Sequence, residues 1–258
     1  MGWTRFCPVQ KLKSTPTPAH IIAAMASSGP HFPRAALTFL RALARNNDRE
    51  WFRARKEQYE QDVRAPMVAV IERLDRDFRR FAPELVASPR VSLFRPYRDT
   101  RFSADKTPIK TNIAAQFPHS ALSKNESPGL YLEVNPRAVL VAGGLYAPSS
   151  AQLHAVREHI ASNLGRFRSI VEAPRLRRAG GLQGDRLQRI PRGFAADHPA
   201  ADYLRYKQFL VWAEFPPALA TTPRFYPTVV GLFETAAPLV RFLCEPLAAR
   251  ATRITRLD

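Results

Sequence analysis

Between residues 67 and 81 the apolar positions recur at helical spacing, and between residues 91 and 142 the period drops to two. Met67, Val70, Ile71, Leu74, Phe78 and Phe81 would line one side of a helix. Val91, Leu93, Arg95 and Tyr97 then alternate with Ser92, Phe94 and Arg98. Residues 113–117 continue that pattern, and 130–134 and 138–142 repeat it around the turn Asn135-Pro136-Arg137. Strands joined by links this short pair antiparallel, so the chain must place a meander behind a helical region. Pro96 predicts an edge or a bulge in the first run, and Gly143-Gly144 is expected to end the last.

The flanks supply helices. Pro33 suits a first turn, with Ala36, Leu37, Leu40, Leu43 and Ala44 on one face. Asn46-Asn47 ends that helix, and Asn47 with Glu50 reads as the capping box of the next, which buries Phe52, Tyr59 and Val63. Pro66 opens the third. Downstream, Ser149 or Ser150 caps a helix bearing Leu153, Val156 and Ile160. Asn163 separates it from another with Phe167, Ile170 and Val171, which Pro174 should stop. Residues 175–184 read as a basic loop and 207–215 as a buried strand. Pro238 and Pro246 should break 228–250 into kinked helices. The expected fold is α+β: one domain over residues 31–258, mainly antiparallel sheet, flanked by an N-terminal helical hairpin and C-terminal helices. Residues 1–30 contain no acid and are rich in Ser, Thr, Pro and Ala. They read as a disordered extension or a start assigned too early, with Met25 the alternative; a transit peptide would share the bias.

Charge decides where function is sought. The chain carries 39 Lys and Arg against 22 Asp and Glu, a net +17. Only seven of the cations are lysine, an arginine bias that a GC-rich genome also produces. The excess concentrates in two blocks. Residues 90–112 hold six cations, Arg90, Arg95, Arg98, Arg101, Lys106 and Lys110, against Asp99 and Asp105, with hydroxyls at Thr100, Ser103, Thr107 and Thr111. Residues 184–207 gather Arg186, Arg189, Arg192, Arg205 and Lys207 with Asp185, Asp197, His198 and Asp202. Guanidinium forks match phosphate and carboxylate oxygens, and lysine adds a compact charge. Arg95, Arg98, Arg101, Lys106, Lys110, Arg189, Arg192 and Lys207 are therefore the candidate anion-binding residues. His198 is the first candidate proton carrier because histidine titrates near neutrality; Asp99 and Asp105 are the others.

Several classes are excluded by motif. The sequence has no P-loop, no strand-associated G-x-G-x-x-G, no H-E-x-x-H and no G-x-S-x-G. The histidines and the two cysteines show no metal-ligand spacing, no cofactor is assigned, and no run of 18 apolar residues calls for a membrane. Two widely separated cysteines suit a reducing compartment.

The runs NNDREWF (46–52), FRPYRDTRFSADKTPIKTN (94–112), Gly143-Gly144-Leu145-Tyr146 and GDRLQRIPRGFAADHPAADYLRYKQF (184–209) resemble those of the bacterial domain of unknown function 2461, over about residues 32–250. Pro96, Ala104 and Ile109 stand where that pattern more often has Ile or Tyr, Lys, and Tyr. The resemblance implies one cytoplasmic domain and no particular activity. Three readings remain. The two blocks confront each other over one face of the sheet and hold a small anionic ligand such as a phosphorylated molecule; they form a saturated ion network; or they track nucleic-acid backbone, which the scarcity of aromatics among the cations disfavours.

Overall fold

The computed structural model describes residues 29–99, 101, 104–125 and 127–254, the side chains beyond 249 excepted. The expectation for residues 1–30 therefore lies outside them, apart from its last two positions. The chain begins with α1 (Arg34–Arg45), α2 (Arg49–Ala54) and α3 (Lys56–Tyr59). A π-helical turn, Glu60–Arg64, leads into α4 (Ala65–Phe81), with Pro66 in its first turn as expected. After the single turn α5 (Pro89–Ser92) come β1 (Ile113–Pro118), β2 (Gly129–Val134) and β3 (Val139–Leu145). The C-terminal half comprises α6 (Ser150–Ser162), α7 (Leu164–Val171), α8 (Pro174–Arg178), α9 (Ala201–Leu204), β4 (Phe209–Phe215) and α10 (Phe225–Ile254).

The four strands form one antiparallel sheet in the order β1-β2-β3-β4. Alternation sends Ile113, Ala115, Phe117, Leu132 and Val141 into the main core, where α10 lies across β3 and β2. Phe78 of α4, Phe117 of β1 and Phe233 of α10 meet there in edge-on contacts at 5.3 and 5.5 Å. Ala114, Tyr131, Leu140, Ala142 and Leu210 face the other way and build a second, smaller apolar cluster, against which Phe94, Tyr146 and Trp212 pack. The sheet is thus covered on both sides, which is why β1 and β3 are buried along their whole length.

The α+β class and the antiparallel meander stand as read from sequence; several local readings are corrected. Residues 89–92 form a helical turn, and the ribbon after it makes a single isolated bridge to β1, Leu93↔Ala115, so no strand runs from 91 to 98. Gly143 and Gly144 continue β3, because Gly143 admits Ala236 of α10 and Gly144 admits the backbone of β4. α7 ends before Pro174 as expected, but Pro174 also starts α8, so residues 175–178 of the expected basic loop are helical. Pro238 and Pro246 lie inside one uninterrupted α10. Burial on the sheet overrides the local cost of two missing helical donors. Phe225–Ala249 is long and apolar enough to cross a membrane, yet 67 % of its most apolar window is buried against protein, as in a core helix.

Candidate cationic site at the sheet edge

The first basic block is an irregular ribbon leaning on the β1 edge. Leu93 bridges Ala115, and Phe94 N–H donates to Ala114 O at 3.0 Å. The chain then doubles back: Arg98 N–H donates to Pro108 O (2.9 Å) and Lys110 N–H to Pro96 O (2.7 Å). Pro96 supplies only a carbonyl there, so its missing donor costs nothing.

Asn47 fixes the returning arm. Its side chain donates to Ile109 O (2.8 Å) and accepts from Ile109 N–H (3.0 Å), a substitute for a strand neighbour. This corrects the expected cap: Asp48 caps α2, accepting from the N–H groups of Glu50 and Trp51. The NNDREWF run therefore holds the basic ribbon as well as starting a helix. Asn47→Ala leaves both polar groups of the buried Ile109 backbone unpaired, so we expect about 2–4 kcal/mol of lost stability in urea unfolding, with faster hydrogen exchange at residues 108–110.

Phe94 is the floor of the site. It lies 6.4 Å from the Tyr131 ring, with Lys124 Nζ 3.9 Å and Lys110 Nζ 5.0 Å from its centroid. Lys124 also donates to the carbonyls of Val91 (2.7 Å) and Ser92 (2.8 Å), tying the end of α5 to the sheet. Burial, helped by the charge of Lys110, draws the Lys124 ammonium down to about 8. Lys110 is lowered too, first by burial and then by Arg95 and Arg98, with Glu133 opposing. Glu133 is itself held by Tyr131 Oη (2.6 Å) and Asn135 Nδ2 (2.8 Å). Burial, and next the Glu133 charge, keep the Tyr131 hydroxyl protonated well above its ordinary range.

The lowered Lys124 has a measurable consequence. Below about pH 8 it is charged in both folded and unfolded chains, and the folded state bears the desolvation penalty. Between about 8 and an unfolded value of roughly 10.4 only the unfolded chain holds the proton, so this contribution to stability rises with pH. The stability of the wild type relative to Lys124→Met is expected to climb over that interval in urea midpoints; a falling difference would contradict the burial.

The remaining cations differ in how they are engaged. Arg98 Nη1 contacts Asp105 (2.6 Å) and Thr107 (3.2 Å), and Asp105 also accepts from Thr107 N–H (2.9 Å) and Oγ1 (2.7 Å). Arg101 grips Asp99 through Nε (3.0 Å) and Nη2 (2.8 Å). These bonds hold Asp99 at about 2, chiefly through Arg101, and lower Asp105, chiefly through Thr107. Both stay ionised at neutral pH and orient arginines, which suits them poorly to carrying a proton. Lys106 is exposed. Arg95 is exposed with no hydrogen bond or ion pair among the described residues. Lys110 is half-buried with no carboxylate at ion-pair distance among them.

The second block adjoins the opposite edge. Gln183 exchanges backbone hydrogen bonds with Leu210 of β4, and Arg186 bridges Tyr206. Arg189, Arg192 and Lys207 are exposed. His198 accepts Ala200 N–H on Nδ1 (3.0 Å) just before α9 and meets Phe194 edge-on at 6.1 Å. With Nδ1 accepting, the neutral ring carries its proton on Nε2. β1 and β4 lie three strand spacings apart, about 14 Å, so each block dresses its own edge.

A family model described as conserved hypothetical protein (DUF2461) matches residues 35–242, a span that includes both blocks and the Asn47 clamp. The chain belongs to the DUF2461 family. No curated protein and no solved structure matches it. What a DUF2461 chain does must therefore be argued from side chains. Among the described residues, no group of three His, Cys, Asp or Glu is arranged to hold a metal. Sequence reading missed Lys124, Glu133 and Tyr131 of this DUF2461 site. Lys124 stands alone in a turn, and only the pairing of β2 with β1 brings Tyr131 and Glu133 near Phe94. The available signal was period-two alternation, which puts Tyr131 and Glu133 on one face.

Proposed function

We propose that this protein binds a small anionic ligand, phosphate-bearing or carboxylate, over the outer face of the sheet beside β1. Arg95 and Lys110 make the primary contacts, Arg98, Arg101 and Lys106 surround them, and Phe94 is the floor. The observation that carries the reading is Lys110: a half-buried ammonium, depressed by burial and by Arg95 and Arg98, with no acid at ion-pair distance among the described residues. Cations held together at that cost are stabilised by a bound anion.

A purely structural ion network explains less. The pairs Arg98–Asp105 and Arg101–Asp99 are mostly exposed and local in sequence, and pairs of that kind contribute little to stability. They shape the ribbon and leave Arg95 and Lys110 outside. The test is calorimetric titration with pyrophosphate, succinate and single-stranded DNA at two salt concentrations. Saturable binding of a small anion, lost in Lys110→Met and Arg95→Ala, supports the reading. Binding of DNA alone, falling steeply with salt, would replace it with backbone tracking.

A further inference from the structure

At the other edge of the sheet stands an arginine that belongs to neither block. Arg157 of α6 is 8 % exposed. Its Nη2 donates to Tyr206 O at 3.0 Å, its Nε is buried without any partner, and Nη1 makes no hydrogen bond among the described residues. Among the described residues no acid lies at ion-pair distance from it, and burial lowers its affinity for the proton.

A second arginine contacts the same tyrosine, and a third is its neighbour in the chain. The Arg186 guanidinium lies 4.3 Å over the Tyr206 ring and hydrogen-bonds its hydroxyl. Arg205, next in the chain, also has a buried unpartnered Nε, and its nearest acid, Asp202, is 3.9 Å away. Arg186 and Asp202 further line an open groove of about 490 Å³ with Arg168, Glu172, Pro199 and Tyr203, large enough to take the body of a small molecule. A buried guanidinium bonded to one neutral carbonyl is costly unless a counter-charge compensates it.

We infer that Arg157, Arg186 and Arg205 form a second oxyanion site at the β4 edge, distinct from the one at Lys110. It takes the carboxylate or phosphate end of a ligand whose body lies along the groove. Arg157 Nη1 is the buried contact and Arg186 the exposed one, held flat by Tyr206. The candidates Arg189, Arg192 and Lys207 then act as an outer cationic rim.

The proposal is tested by titrating the full chain with pyrophosphate and, separately, succinate at low salt, following stoichiometry and melting temperature. The wild type should bind two equivalents of at least one of these probes. Arg157→Met should bind one, with at least a tenfold loss at the weakened site, and Lys110→Met should retain the site that Arg157→Met loses. Should Arg157→Met fail to fold, the exposed Arg186→Ala must show the same loss of one equivalent. The proposal is overturned if Arg157→Met, or Arg186→Ala in its place, binds both probes as the wild type does, or if the wild type binds one equivalent that only Lys110→Met removes. A single equivalent removed by Arg157→Met but untouched by Lys110→Met would instead overturn the β1-edge reading and keep this one. Which probe binds separates a phosphate-bearing ligand from a carboxylate one.

Discussion

Lys110→Met should weaken binding of the small anion by about 10- to 150-fold and leave the protein at least as stable in anion-free buffer. The first number rests on one sheltered charge-assisted hydrogen bond of about 1.5–3 kcal/mol, at a tenfold change for each 1.4 kcal/mol. The second rests on the direction in which Lys110 is perturbed. Its charged form is disfavoured by burial, by Arg95 and by Arg98, so without an anion the charge works against folding. Methionine keeps an unbranched stem over Phe94 and removes the repulsion. The pairing of lost affinity with unchanged or raised melting temperature is what separates a binding cation from a structural one. If Lys110→Met instead melts several degrees lower and binds as before, the cluster is a stabilising network and the ligand reading fails. Arg95→Ala should behave as Lys110→Met does, because Arg95 is exposed and has no partner among the described residues to lose. Asp105→Asn should do the opposite, loosening the Thr107 turn and releasing Arg98 from its acid.

What could be read from the sequence was set by how local the cause was. The face of α4, the three-strand meander and a serine cap at the start of α6 depend on neighbours within a few residues, and each formed where the pattern put it. The errors share a different origin. Pro238 and Pro246 looked like breaks because local propensity cannot see that α10 is clamped on β3 and β2. The alternation at 91–98 looked like a strand because the contacts that bend it come from elsewhere: Lys124 on the carbonyls of Val91 and Ser92, and Asn47 on Ile109.

The candidate site divides in the same way. The density of cations in residues 90–112 marked the ribbon, and its two acids are where a run of like charges needs them. The expectation that both blocks face one hollow required knowing which edge each would join, and strand order is a property of the whole sheet. Arg157 gave no signal at all. It follows the apolar Ala155 and Val156 in α6, and its hydrogen-bond partner Tyr206 lies 49 residues away.

Gly144→Ala should be the most damaging small substitution in the sheet. Gly144 has φ +134°, a region closed to side chains at a cost of about 1–3 kcal/mol. An added Cβ would also overlap Phe209 O and stand 3.0 Å from Leu210 Cα. Those atoms are the backbone of β4, paired to β3 through Gly144↔Leu210 and Leu145↔Phe209, so they cannot swing aside as a side chain would. Relief requires opening the start of the β3–β4 ladder and exposing Phe209, which is fully buried. A total of about 4 kcal/mol or more, a large part of a typical domain's stability, would lower the melting temperature by roughly 8–16 °C or prevent folding. Gly143→Ala is the milder neighbour, because its Cβ would meet side-chain atoms, the methyl of Ala236 (2.5 Å) and a Leu130 methyl (2.9 Å), which a shift of α10 and a turn of the Leu130 side chain relieve. Gly165→Ala, in α7 with nothing within 4 Å, should raise stability by about 0.5–1 kcal/mol. The order Gly165→Ala above wild type, then Gly143→Ala, then Gly144→Ala would show that the two glycines of β3 exist for close approach of the backbone and the helix. Because Tyr206 lies just ahead of β4, a folded but loosened Gly144→Ala should also weaken the anion binding proposed at Arg157 while leaving that proposed at Lys110.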